Sequence, residues 1–228
     1  MRLQGKWCAV TGASSGIGAA VAHALAAEGA HVVGLARRFP AGPVVLPRAG
    51  TVAYASLDVT DDAAVEMRLA ELPALDVVVC AAGTGWFGPI ARTSAATARS
   101  LFNVHVGGTL ACAREASRRM VAARSGHVVA IGSIAASRPL PDCGAYAAAK
   151  GGQRALMLVL AEELRPHGVR VTTVSPGATD TAIWDGRPGF DRSQMLRAAD
   201  VAGMIVDVIA RPGVAITELE LLPPSGLL

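Results

Sequence analysis

The sequence predicts an α/β fold, a doubly wound parallel sheet of seven strands with helices on both faces, three layers in all. Three observations predict it. Apolar runs of four to six residues alternate with longer stretches of helical period, the pattern of successive β-α-β units. Several of those runs are apolar on both sides of the pleat, as parallel strands covered from both faces must be. The first run also leads through a glycine-rich turn straight into a helical stretch.

In chain order the expected strands are Trp7 to Val10, His31 to Leu35, Val52 to Ser56, Val77 to Cys80, His127 to Ile131, Val169 to Val174 and Leu219 to Leu222. An Ala-rich helix, Ile17 to Ala27, separates the first two and stops at Gly29. Asp61 and Asp62 open the next helix, their charge at the positive end of its dipole and Thr60 its expected N-cap. Longer helices are expected over Thr97 to Val121, Tyr146 to Leu164 and Ala199 to Ala210. No repeat, low-complexity tract or linker breaks the series, so residues 1–228 read as one domain. The one long irregular stretch, Ala178 to Arg197, reads as a substrate loop, since such a stretch inside a compact domain is usually a lid or binding loop. It holds Ile183, Trp184 and Phe190 beside Asp185, Arg187 and Arg192, a mixture suited to a small polar hydroxy acid or a modest hydrophobic ketone.

Composition narrows the classes. With 228 residues, 52% hydrophobic and 17% charged, the chain can bury a core without a metal or disulfide staple. Mean hydropathy is +0.41, yet no run approaches the ~20 apolar residues of a spanning helix. The apolar stretch behind Arg2 and Lys6 ends at Val10, too short for an export signal, so a soluble, cytoplasmic protein is expected. The cysteines, Cys8, Cys80, Cys112 and Cys143, show no CxxC spacing and read as structural thiols in a reducing compartment. Five histidines without metal spacing lead to no metal site being expected. The net charge of +3 is spread over scattered arginines, which points away from nucleic acid as a partner.

Chemistry concentrates at a few places. The first strand ends in Thr11-Gly12-Ala13-Ser14-Ser15-Gly16-Ile17-Gly18 and a helix follows, which lets helix N-terminal amides meet a diphosphate. A phosphate loop of the Gly-Lys-Ser/Thr kind would need a lysine that is absent. Tyr146 and Lys150 stand four residues apart on one helix face, in a chain with only two Tyr and two Lys, about a 2% coincidence. An ammonium beside a phenol favours the phenolate, and bringing a phenol down by ~3 pH units takes ~4 kcal/mol.

From these residues onward the sequence resembles the short-chain dehydrogenase/reductase family, in its compact single-domain branch, along nearly the whole chain. The turn has the family's TGxxxGxG spacing, and Tyr146-Ala147-Ala148-Ala149-Lys150 its YxxxK. Ser133, thirteen residues before Tyr146, matches its serine, and Asn103 its active-site asparagine. Asp58-Val59 resembles the adenine-contacting pair, Ala82-Gly83 the end of the Asn-Asn-Ala-Gly motif, and Pro176-Gly177 with Thr179 and Thr181 the nicotinamide-side motif. Where the family has two asparagines this chain has Cys80-Ala81, so the side-chain hydrogen bonds tying that strand end are expected to be missing and contact at Ala81 to be through backbone. Taken singly, Ser133 is equally a turn residue and Asn103 a helix polar residue; their joint order and spacing set them apart.

The resemblance implies a Rossmann-type sheet of strand order 3-2-1-4-5-6-7 and an oxidoreductase interconverting an alcohol and a carbonyl. Tyr146 would exchange the proton, Ser133 hydrogen-bond the carbonyl, Lys150 hold the nicotinamide ribose and Asn103 anchor a relay water. Gly12, Ser14, Ser15, Gly16, Ile17 and Gly18 would carry the cofactor. The second strand runs into Ala36-Arg37-Arg38, with Ala36 where an acid would favour a free 2′-hydroxyl, so NADP(H) is the expected cofactor, Arg37 meeting its 2′-phosphate and Arg38 beside it. A homo-oligomer is implied as well. The alternative is a silent NADP-binding sensor or scaffold, which would have no need of the Ser133 and Tyr146 hydroxyls.

Overall fold

The computed structural model describes residues 1–39, 41–187 and 189–226; Pro188 of the expected substrate loop, and Pro40 and the last two residues of the expected domain, lie outside them. Seven parallel strands form one sheet, from β1 (Trp7–Thr11), β2 (His31–Leu35), β3 (Thr51–Ala55), β4 (Val77–Cys80), β5 (Gly126–Ile131) and β6 (Val169–Pro176) to a last strand at Glu218–Leu221. Their spatial order is the one implied by the resemblance: the third strand at one edge, then the second, first, fourth, fifth, sixth and last. Two further strands, β7 (Thr179–Asp180) and β8 (Leu196–Arg197), pair with each other in parallel, so the Glu218–Leu221 strand is β9.

Period two sorts the strand residues into two cores. Ala9, Val33, Val78, Val128 and Ala130 face α2 (Asp62–Ala70), α4 (Gly108–Ala123) and α5 (Gly144–Leu164). Their neighbours Cys8, Val10, Val32, Val77, Val79 and Val129 face α1 (Gly16–Ala27) and α6 (Ala198–Ile209). Each such aliphatic side chain, wholly withdrawn from water, contributes roughly 1.5–3 kcal/mol, which is why both helical layers are held. No helix of the described residues is long and apolar enough to cross a membrane.

Two expectations need correcting. The N-cap of α2 is Asp61, whose carboxylate accepts from the Ala64 amide at 3.0 Å; Thr60 instead donates its hydroxyl to Asp58 at 2.8 Å. The single helix expected from Thr97 is broken in the middle: α3 (Ala95–Phe102) passes into a π turn, Asn103–Gly107, before α4. There the helix presses on the β3–α2 connection so closely that a Cβ on Gly108 would stand 2.5 Å from Val59 Cγ2. The widened turn begins at Asn103, and such turns recur at functional sites.

Candidate active site

β1 and β4 are neighbours although their chain connections run to opposite sides, and a crevice opens beyond their carboxyl ends. That crevice is a cleft of about 1430 Å³, and every residue expected at the site lines it. The glycine turn from Gly12 to Gly18 forms one end. Gly12 has φ +68°, and a Cβ there would lie 2.5 Å from Ala81 O, so the turn is both left-handed and pressed on the β4 end. Ser15 caps α1 without a side-chain bond, which leaves the first-turn amides open toward an anion. Arg38 reaches back over the turn, its Nη2 donating to Ser14 Oγ at 3.4 Å. Arg37 lies near Asp58, whose carboxyl is held below its ordinary range first by the Thr60 amide, then by the Thr60 hydroxyl and Arg37.

The strand end that lacks the family's asparagines is tied from the other side. Thr11 Oγ1, buried in β1, accepts from the amides of Ala81 and Ala82, both at 3.1 Å, and faces Val79 O at 3.4 Å. The expected loss of anchoring is therefore made good by a hydroxyl on the neighbouring strand. His105 secures the next residue: its Nε2 donates to Thr84 O at 2.8 Å, which assigns the proton to Nε2 and leaves Nδ1 a buried acceptor without a partner. Burial brings its pKa down to about 3, with Lys150 contributing, so the ring is neutral.

Ser133 follows β5 and caps the short turn Ile134–Ala136, its Oγ accepting from the Ala135 amide at 3.1 Å. Its own O–H remains free to donate. Tyr146, in the first turn of α5, stands edge-on to His105, ring centres 5.5 Å apart at 86°. One turn later Lys150 is 5% exposed; its Nζ donates to Ile131 O at 2.6 Å and to Gln153 Oε1 at 3.0 Å, and Gln153 Nε2 donates to Thr109 Oγ1 at 2.8 Å.

The lowering of the phenol implied by the resemblance counts on Lys150 together with an oxidised nicotinamide; in the chain by itself burial governs both groups. Burial pushes Tyr146 up to about 12, against a pull downward from the Ser133 hydroxyl. Burial likewise brings Lys150 down to about 7. Lys150 Nζ lies 5.9 Å from the Tyr146 ring centre, so in the free protein desolvation of each group outweighs their mutual field.

Beyond Tyr146 the cleft is walled by aromatic rings. Phe87 and Tyr146 are 5.6 Å apart, Phe87 and Trp184 5.6 Å, and Trp184 and Phe190 4.6 Å. The loop bearing the last two is closed by the β7–β8 pair and by Arg192, which binds Asp180 at 2.6 Å and Asp185 at 2.8 Å. His105, Thr109 and Gln153 were not singled out from the sequence, and Thr11 entered only as the first residue of the glycine-rich motif; of the other three, Gln153, three residues after Lys150 on its helix, carried a signal there. Among the described residues no group of three or more His, Cys, Asp and Glu could hold a metal ion.

Comparison with known proteins agrees with this geometry. The description of the short chain dehydrogenase family matches residues 6–188. The chain belongs to the short chain dehydrogenase family. The chain is 36% identical over 97% of its length to a glycine betaine reductase of Emericella nidulans, but spans only 19% of that relative. It is also 36% identical to a cis-4-hydroxycyclohexanecarboxylate dehydrogenase of Sinomonas cyclohexanicum, covering 82% of this chain and 78% of the relative. A metagenomic short-chain oxidoreductase solved in complex with NADP superposes on this chain with a TM-score of 0.80 at 30% identity, over 98% of this chain and 99% of that one.

Proposed function

We propose that this protein is an NADP(H)-dependent oxidoreductase that interconverts an alcohol and a carbonyl on a small organic substrate, with Tyr146 as general acid/base. The observation that carries the reading is one cleft with Asn103, Ser133, Tyr146 and Lys150 at one part and the open N-terminus of α1 at another. The residues fit a dinucleotide: first-turn amides for its diphosphate, Arg37 and Arg38 for a 2′-phosphate, Asp58 and Val59 for the adenine side, and the residues from Pro176 to Thr181 for the nicotinamide side. Bound there, the nicotinamide supplies or takes up a hydride.

The chain's own residues handle the oxygen and its proton. With its pKa near 12 the Tyr146 phenol is protonated at neutral pH and can give that proton to a carbonyl oxygen. Ser133 donates its free O–H to the same oxygen. Lys150, near 7, can pass a proton at its Nζ while Gln153 and Ile131 O hold it in place, and Asn103 at the π turn anchors the water that refills it.

Tyr146→Phe tests the reading. Turnover of a carbonyl panel with NADPH is expected to fall at least ~100-fold while NADPH binding by calorimetry stays; near-wild-type turnover would remove Tyr146 from the role. Residues 1–228 as one domain with 178–197 as its substrate loop, cytoplasmic residence and a homodimer or homotetramer belong to the same proposal. The four free thiols are all buried, as suits a reducing compartment, and Phe102, Leu110 and Val159 are exposed apolar side chains that an interface would cover. Light scattering tests the assembly.

A further inference from the structure

Resting on the reading of the cleft as an alcohol/carbonyl site, the geometry points to a carboxylate-bearing substrate, its acid group held by Arg187. The Arg187 guanidinium carbon lies 3.7 Å from the centre of the Phe87 ring and 6.0 Å from that of Trp184. Stacked this way, the guanidinium spends its flat face on an aromatic ring and keeps its edge of N–H donors for something else. Among the described residues nothing accepts from that edge. Among the described residues the guanidinium makes no hydrogen bond, and no carboxylate of theirs comes within ion-pair range, Asp185 being bound to Arg192.

Several arginines elsewhere in the chain are already engaged. Arg192 is taken by Asp180 and Asp185, Arg197 by Asp200, Arg138 by Glu220 and Arg154 by Glu218. Asp185, two residues before Arg187, is thus already engaged, and Asp142 at the cleft lining stays exposed and unpaired with it. Half-buried as it is, Arg187 has its pKa lowered by desolvation, which an incoming anion would offset.

Position completes the argument. Arg187 stacks on Phe87 at 3.7 Å and Phe87 stands 5.6 Å from Tyr146, so at most about 9 Å separates the guanidinium carbon from the centre of the Tyr146 ring. A planar fork matches a carboxylate through two parallel hydrogen bonds of ~2.8 Å. Arg187, Tyr146, Phe87 and Trp184 line the same cleft, so an apolar body bound there would meet the Phe87 and Trp184 rings. The substrate class is therefore a small oxo acid, or its hydroxy acid, with a compact apolar body compatible with that upper limit.

The test compares 4-oxocyclohexanecarboxylate with the neutral 4-methylcyclohexanone, using NADPH and the wild-type, Arg187→Gln and Arg187→Lys proteins. Arg187→Gln is expected to raise KM for the acid about 10- to 100-fold, the worth of a charge-assisted pair, with a far smaller effect on the neutral ketone. Arg187→Lys is expected to recover part of the loss, and the NADPH dissociation constant to stay within about twofold. Equal effects on both ketones, or weakened NADPH binding instead, would overturn the assignment. If neither ketone is turned over, calorimetric titration with cyclohexanecarboxylate separates the two readings. Binding that Arg187→Gln abolishes sustains the carboxylate site while the oxidoreductase reading fails, and no binding to wild type sinks the carboxylate site itself.

Discussion

Ala36 and Arg37 show how much rests on single side chains. Ala36 is buried at the end of β2, and exposed Arg37 follows it into the cleft near Asp58. Placing an acid at 36 and removing the cation at 37 reverses the local charge seen by a 2′-phosphate. Ala36→Asp with Arg37→Ile is expected to shift the ratio of kcat/KM for NADPH over NADH toward NADH by roughly tenfold or more, chiefly through KM. Unchanged preference would move the 2′-phosphate elsewhere. Thr11 makes the same point for stability. Thr11→Val keeps the shape and strips the acceptor from the Ala82 amide, while the Ala81 amide keeps Val79 O at 3.2 Å. An unsatisfied buried donor costs about 1–3 kcal/mol, so the urea midpoint is expected to fall by that equivalent and NADPH binding to weaken with it.

At the scale of elements, the glycine turn and α1 act as one unit. The left-handed Gly12 lets the chain reverse against the β4 end, so that α1 begins with its open amides in the cleft. A Cβ at position 12 meets backbone, not a side chain that could swing aside. Gly12→Ala is expected to lose about 1–3 kcal/mol in urea unfolding and to weaken NADPH binding more than it slows any step of turnover. The π turn is the other element with a site role. Its residues read as continuous helix in the sequence because no proline or capping side chain marks the turn, and directly after it Gly108 packs closely on Val59.

For the whole molecule, buried histidines set the acid limit. His105 and His127 both have pKa values brought down to about 3 by burial, against 6.5 in an unfolded chain. Between those values the unfolded state binds protons that the folded state refuses. The stability these two histidines contribute is therefore complete above pH 6.5 and is lost as pH falls toward 3. His127 pairs with Thr172 Oγ1 at 2.8 Å, a bond an amide can imitate. In His127→Gln the fall of the urea midpoint between pH 6.5 and 4 is expected to be clearly shallower than in wild type; an equal slope would assign the acid sensitivity to other groups. Lys150 acts at the other end, since its lowered pKa makes stability rise with pH from about 7 toward 10.5.

The strands, their order of use along the chain, the glycine turn and the spacing of Ser133, Tyr146 and Lys150 were all legible in the amino-acid sequence. They depend on period two, period 3.6 and short-range spacing, which neighbouring residues carry among themselves. What was not legible joins residues far apart in the chain. Thr11 ties a strand end 70 residues on, Gln153 links Lys150 to Thr109 across 44 residues, and Arg187 stacks on Phe87 from another loop. The titration of Tyr146 and Lys150 belongs with these, because desolvation is the work of every element packed around a group. Spacing on one helix predicts that two side chains share a face; how dry that face becomes depends on the fold that closes over it.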